Sequence, residues 1–202
     1  LDSDKYYRST YTLGVSTATG DSGGDIISQQ DASNITKNQV EQAIKSFQGE
    51  IDQVPSMYSA LKHNGQPLYK LARQGIEIDR PARQITIFNY KIIDFRSGVH
   101  PQVDVEVHCS KGTYIRTLAE DLGTALGCGA HVSALHRFKA GPFDEQQTIT
   151  LDELEKLRDQ GTVEQLDQLL KPVDTPVLDY PAVEFDQIMA GYFQLGQSIT
   201  LK

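Results

Sequence analysis

Two signatures in the 202-residue sequence predict an α+β domain, a mixed, largely antiparallel β-sheet flanked by helices. Strand-like runs alternate in character: Val103, Val105, Val107 and Cys109 fall on one face, Asp104, Glu106 and His108 on the other. Between such runs lie helix starts of the capping-box type, at Thr36 with Gln39 and at Thr150 with Glu153. The uneven interleaving of the two does not suit a doubly wound parallel sheet.

Tyr6 to Val15 has the length and Tyr/Thr content of a strand, followed by a turn at Gly20 and Gly23-Gly24. The helix opened by Thr36 places Val40, Ala43, Ile44 and Phe47 on one face and is expected to stop at Gly49. Pro67 to Arg73 predicts a short helix ended by Gly75. Gln84–Phe95 and Gln102–Cys109 read as strands joined by a polar turn. Thr113 is expected to cap a helix through Leu126, with Gly127 as its stop, and Ala130–Lys139 to return as a strand. An acidic two-helix segment runs from Thr150 to Leu170, and Pro172, Pro176 and Pro181 punctuate a linker. A new unit is expected near Tyr180. The chain starts with Leu1 and ends in a strand-like Gln197–Lys202, which leads us to expect a piece of a longer protein.

No apolar run approaches the roughly 18 residues of a membrane span, so no membrane partner is expected. Two cysteines, Cys109 and Cys128, are too few for a disulfide framework and point to the reducing cytoplasm. The net charge of −8 argues, taken alone, against nucleic acid. Its distribution argues otherwise. From Tyr58 to Lys91, Lys62, Lys70, Arg73, Arg80, Arg83 and Lys91 face only Glu77 and Asp79, whereas Asp144–Asp186 holds twelve acids against three bases. One local face can be basic on an acidic molecule.

Candidate chemistry is sparse. His108, Cys109, Cys128 and His131 have zinc-ligand types, but strand neighbours such as His108 and Cys109 point to opposite faces, so no metal is expected. In Ser110-Lys111-Gly112-Thr113 the lysine precedes the glycine, the wrong order for a phosphate-binding P-loop, although a helix start there could still attract an anion. Arg116 falls in the first turn of that helix, where the dipole disfavours a cation, and so calls for a carboxylate or phosphate.

Several stretches in order are more specific. Pro55-Ser-Met-Tyr-Ser-Ala-Leu-Lys62, Gly65 and Tyr69–Gly75 resemble the substrate-gripping insertion (55–82) of the TruB-type tRNA pseudouridine synthases. Ser110–Leu118, Asp121-Leu-Gly123 and Cys128–Val132 resemble the family's arginine motif, Leu135-His-Arg137 its third motif, and Asp4-Lys-Tyr-Tyr7 its tyrosine motif. The resemblance covers Asp2 to about Thr150. It implies that 1–175 is part of the catalytic domain and that 178–202 begins a PUA-like RNA-binding domain.

It also implies an activity: conversion of uridine 55 in the tRNA T loop to pseudouridine by base flipping and an aspartate nucleophile, with no cofactor and no metal. Arg116 would pair with that aspartate. Tyr7 would lie against the flipped base, and Tyr114 and Leu135 would line its pocket, since stacking a base on such walls is worth roughly 1–3 kcal/mol. Lys62, Lys70, Arg73 and Arg80 would grip phosphates of the T-arm stem-loop. Asp21 sits where the family has an acid, in a loop (16–24) poorer in charge than usual. No aspartate here has the glycine- and leucine-bearing context of the family's nucleophile, so the chain alone is expected to be inactive and Arg116, without that aspartate, to be mobile or to hold a solvent anion. A monomer is expected. The alternatives are a non-catalytic RNA-binding or scaffold module on the same fold, and a protein-interaction domain using the acidic 144–186 surface.

Overall fold

The computed structural model describes residues 3–178 and 180–200. Its contacts divide the chain into two compact units, 1–148 and 149–202.

The first unit is built on a six-stranded sheet. In chain order its strands are β1 (Lys5–Leu13), with β2 (Val15–Thr17) and β3 (Ile26–Gln29) forming a separate hairpin, β4 (Gly49–Gln53), β5 (Lys62–His63) and β6 (Gln66–Pro67) forming another, β7 (Arg83–Arg96), β8 (Gln102–Cys109), β9 (Ala130–Ala140) and β10 (Phe143–Asp144). The large sheet has the order β10-β9-β1-β8-β7-β4, and all of its ladders are antiparallel. An isolated parallel bridge, Asp21 to Val132, ties a loop to its flank.

Alternation along the strands produces two different faces. Tyr11, Leu13, Ile85, Ile87, Val103, Val105, Val107 and Cys109 are buried in one core with Val40 and Ile44 of α1 (Lys37–Lys45) and Ile115, Leu118, Ala119 and Leu122 of α3 (Ile115–Ala125). Each large apolar side chain removed from water here contributes about 1.5–3 kcal/mol. The opposite face is polar: Asp104 accepts from Thr10, Glu106 pairs with Arg8 and Lys91, and His108 stacks on Tyr6. At Gly123, α3 lies tight against the start of β9, because a Cβ there would collide with the backbone of Gly129 and Ala130.

Several element boundaries differ from expectation for local reasons. The first strand breaks at Gly14, whose φ of +80° redirects the chain into β2. The Thr36 capping box forms, yet α1 stops at Lys45 with Ser46 as its C-cap, and Gly49 opens edge strand β4. α2 (Leu68–Ala72) is one residue shorter at each end than the predicted helix. Tyr114, not Thr113, is the N-cap of α3, because the Thr113 hydroxyl donates instead to the Ser110 carbonyl at 3.0 Å. Gly127 follows the helix end with φ +72°, as its position predicts.

In the second unit, the Thr150 capping box opens α4 (Leu151–Gln160), and Thr162 opens α5 (Val163–Asp167) in the same way. Asp186 caps α6 (Gln187–Gln194) by accepting from the Ile188 and Met189 N–H groups. Residues 197–200 are irregular, not strand, and the rest of the strand expected there, Leu201 and Lys202, lies outside the described residues.

Candidate active site

The site forms where β8 hands over to α3. The turn after Cys109 is fixed to β7: the Ser110 N–H donates to Thr86 O, and the Thr86 N–H donates back to Ser110 Oγ, each at 2.9 Å. Gln53, at the end of β4 and 3% exposed, then grips the backbone of Tyr114 from both sides. Its Oε1 accepts from the Tyr114 N–H at 2.8 Å and its Nε2 donates to the Tyr114 carbonyl at 3.1 Å. This buried amide aims the first turn of α3, and with it Arg116.

Arg116 has partners, contrary to expectation. Its Nη1 donates to Asp21 Oδ2 at 2.8 Å and to the Thr19 carbonyl at 3.2 Å, and its Nη2 donates to the Tyr58 carbonyl at 2.8 Å. The guanidinium thus joins α3, the 17–24 loop and the start of the 55–82 insertion. The physical reason is the dipole argument itself: a cation at a helix start is stabilised by a carboxylate, and Asp21 supplies one.

Asp21 is well prepared for this. Its Oδ1 accepts from the Thr19 hydroxyl at 2.6 Å and from the Gly23 N–H at 3.0 Å. Burial pushes the Asp21 carboxyl upward, but the Thr19 and Gly23 hydrogen bonds and the Arg116 charge outweigh it and hold it below the usual carboxylate range. The loop is laced to the start of β9, with Val132 N–H donating to Gly20 O and Ser22 N–H to Val132 O. Gly20 has φ +72°, and a Cβ on it would come within 2.7 Å of Glu120 Oε1, so the loop lies close against α3. Two carboxyls of α3 have raised pKa values: Glu120 by burial first and by its neighbour Asp121 second, and Asp121 by burial.

Tyr7 and Leu135 stand on adjacent strands. Tyr7 pairs in register with Arg137 and Ser9 with Leu135, so the alternation puts Leu135 and Arg137 on the face that carries Tyr7. Tyr7 is half-buried against the core. Burial raises its pKa, and its hydrogen bond with Arg137 opposes the rise. Leu135 is 49% exposed, an apolar side chain without a cover. Arg137 was within a motif read from the sequence but had no assigned role there; its contact with Tyr7 is a tertiary pairing that no local spacing reveals.

The four basic residues of the insertion are placed unequally. Asn64 (φ +50°) and Gly65 (φ +81°) make the tight turn between β5 and β6, which exposes Lys62. Lys70 and Arg73 are exposed on and just after α2, with Arg73 over the Tyr69 ring at 5.5 Å. Arg80 differs, with a side chain only 17% exposed. The four residues weighed as zinc ligands are engaged separately: His108 Nε2 lies 3.1 Å from Asp4 Oδ2, His131 Nδ1 2.9 Å from Val15 O, Cys109 faces Lys5 O and Cys128 faces Gly129 O.

Residues 1–115 match the sequence profile described as TruB family pseudouridylate synthase (N terminal domain). The chain belongs to the TruB family. A second profile, the tRNA pseudouridylate synthase B C-terminal domain, matches 116–178, so Arg116 stands at the junction of the two. Among relatives of this TruB-family chain, the tRNA pseudouridine synthase B of Saccharophagus degradans is 52% identical over 199 residues, 98% of this chain and 64% of the relative. Those of Coxiella burnetii and Pseudomonas aeruginosa are 47% and 46% identical, again over 98% of this chain and 63% and 64% of theirs. The chain therefore spans less than two thirds of the length of these relatives. The crystal structure of a Cbf5-Nop10-Gar1 complex superposes with a TM-score of 0.60 at 27% identity, covering 88% of this chain and 44% of that one. Among the described residues, no helix of the TruB-family chain is long and apolar enough to cross a membrane.

Proposed function

We propose that this chain is part of a cytoplasmic tRNA pseudouridine synthase that isomerises uridine 55 of the T loop. The observation that carries the reading is the Arg116 junction: a guanidinium at a helix start, held by Asp21 and two carbonyls, inside a chain of the TruB family. Base flipping exposes the glycosidic bond, which is unreachable within the stack. An aspartate outside these 202 residues acts as nucleophile, and the base is released, turned and rejoined through carbon. Arg116 keeps that carboxylate ionised and oriented, using donors that Asp21, Thr19 and Tyr58 leave free.

Tyr7, Tyr114 and Leu135 are the walls for the flipped base, and the exposure of Leu135 suits that role. Lys62, Lys70 and Arg73 grip the T-arm backbone, in keeping with their exposure. The reading needs neither cofactor nor metal, takes 1–175 as catalytic and 178–202 as the start of a PUA-like domain, and takes the protein as a monomer. The test is pseudouridine formation in a T-arm stem-loop, assayed with the full-length protein and with this chain alone. Turnover is expected from the first and none from the second. Product formed by the chain alone would place the nucleophile within it and overturn that part of the reading.

A further inference from the structure

Gln53 is buried at the end of β4 although its neighbours Asp52 and Val54 are exposed. An amide taken out of water is costly unless both of its ends find partners. Here one residue satisfies both ends: the Tyr114 N–H donates to Oε1 at 2.8 Å, and the Tyr114 carbonyl accepts from Nε2 at 3.1 Å. Tyr114 is the N-cap of α3, and its own side chain makes no capping bond. Among the described residues its N–H has no second acceptor. Its carbonyl also takes the Leu118 N–H at 3.1 Å, the first bond of the helix. A side chain from β4 therefore stands in for the missing cap. Farther along, Gly123 lies tight against the start of β9, so α3 is pinned near both ends.

We propose that Gln53 is a positioning residue for the isomerisation, acting through the Tyr114 backbone to fix the direction of Arg116. The inference rests on the pseudouridine synthase reading and deepens it, by assigning a residue that at 3% exposure is too buried to touch RNA itself. β4 runs directly into the 55–82 insertion, and Tyr58 of that insertion accepts from Arg116 Nη2 at 2.8 Å. The root of the insertion therefore holds α3 twice, once by the backbone of Tyr114 and once by the guanidinium. With both holds in place, Arg116 has one direction relative to the insertion whose Lys62, Lys70 and Arg73 are the proposed RNA contacts. The residue type follows from the two bonds. Asparagine is a methylene too short, ionised glutamate has no donor for the Tyr114 carbonyl, and methionine fills a similar space with neither bond.

Pseudouridine formation in a T-arm stem-loop should be followed under single turnover with the full-length protein, beside equilibrium binding of the same RNA. Gln53→Met should lower the rate about tenfold and change the dissociation constant less than about threefold. The deciding measurement is a double-mutant cycle with Arg116→Lys. Because Gln53 acts through Arg116, adding Gln53→Met to Arg116→Lys should lower the rate further by less than about twofold. A residue that only stabilises the fold would lower it by the full factor in both backgrounds. Full additivity, an unchanged rate in Gln53→Met, or equal losses of rate and affinity overturns the proposal. Should Gln53→Met fail to fold, Gln53→Glu, which keeps the acceptor for the Tyr114 N–H, goes through the same cycle and is judged by the same outcomes. Wild-type protein without turnover removes the pseudouridine synthase reading and this inference with it, whereas wild-type turnover with an additive cycle removes the inference alone.

Discussion

Asp21 and Arg116 are 95 residues apart in the chain and 2.8 Å apart in space. The pair closes the 17–24 loop onto α3, while the second guanidinium nitrogen reaches the insertion at Tyr58. One arginine therefore ties together three segments, α3, the 17–24 loop and the start of the insertion. A side chain so held has lost its freedom to wander, which is what preorganisation of a carboxylate partner requires.

Asp21→Asn should loosen this junction without emptying it. The amide keeps one acceptor but loses the charge that offsets the helix dipole. In the full-length protein we expect the single-turnover rate to fall at least tenfold, with tRNA affinity changed less than about threefold. Stability should fall by about 1 kcal/mol at neutral pH, a modest figure because Asp21 remains a third exposed. The Asp21 carboxyl is held below its ordinary value, so this stability is present above about pH 4 and is lost as pH falls through the folded-state value. Melting temperatures of wild type and Asp21→Asn should therefore converge in acid, and a gap that persists at low pH would show that the charge is not the cause.

The contrast between Arg116 and its partners shows what the sequence carries. A cation two residues into a helix is a local anomaly, so its need for an anion is legible from spacing alone. Which anion answers it depends on a loop folding back across 95 residues, and two of its three partners include backbone carbonyls, which leave no trace in side-chain identity. Strand β8 was legible because its alternation is strict, with every second residue buried from Val103 to Cys109. Edge strand β4 was not. Gly49-Glu-Ile-Asp-Gln53 has little apolar content, and it is a strand because β7 offers it a ladder. The grip of Gln53 on Tyr114 is hidden for the same reason: a glutamine in a polar stretch looks like solvent until the sheet buries it.

Replacing Lys62, Lys70 and Arg73 together with alanine should weaken tRNA binding and flatten its dependence on salt. Each lost phosphate contact reduces the slope of log affinity against log salt by roughly 0.7–0.9. All three side chains are exposed, so the fold should be unaffected. Binding measured across a range of potassium chloride concentrations checks this, and an unchanged slope would move the grip elsewhere on the molecule.

Glu120 gives a pH effect of opposite sign to Asp21. Its carboxyl is raised, by burial first and by Asp121 second, so the folded state holds its proton more tightly than the unfolded chain does. Below about pH 4 the group carries no penalty, and the cost of ionising it grows as pH rises through the folded-state value. Glu120→Gln should therefore raise the melting temperature at neutral pH by a few degrees and leave it unchanged near pH 4. A variant less stable than wild type at neutral pH would mean that the charge of Glu120 supports Arg116 more than its burial costs.

Arg116→Lys separates charge from geometry. Lysine keeps the cation, and its ammonium can still pair with Asp21, but it cannot serve Asp21, the Thr19 carbonyl and the Tyr58 carbonyl from one plane. The nucleophilic carboxylate of the proposed mechanism would then face a mobile point charge in place of a fixed fork. In the full-length protein we expect the single-turnover rate of pseudouridine formation to fall about a hundredfold or more, the scale seen when a positioned donor is removed from a charged centre. The dissociation constant for tRNA should change less than about threefold, because the proposed phosphate grip lies on Lys62, Lys70 and Arg73 and not on Arg116. Rapid-quench single-turnover kinetics and equilibrium binding on the same preparation give both numbers. A rate near wild type would leave Arg116 a brace between α3, the 17–24 loop and Tyr58, and would move the chemistry away from this junction.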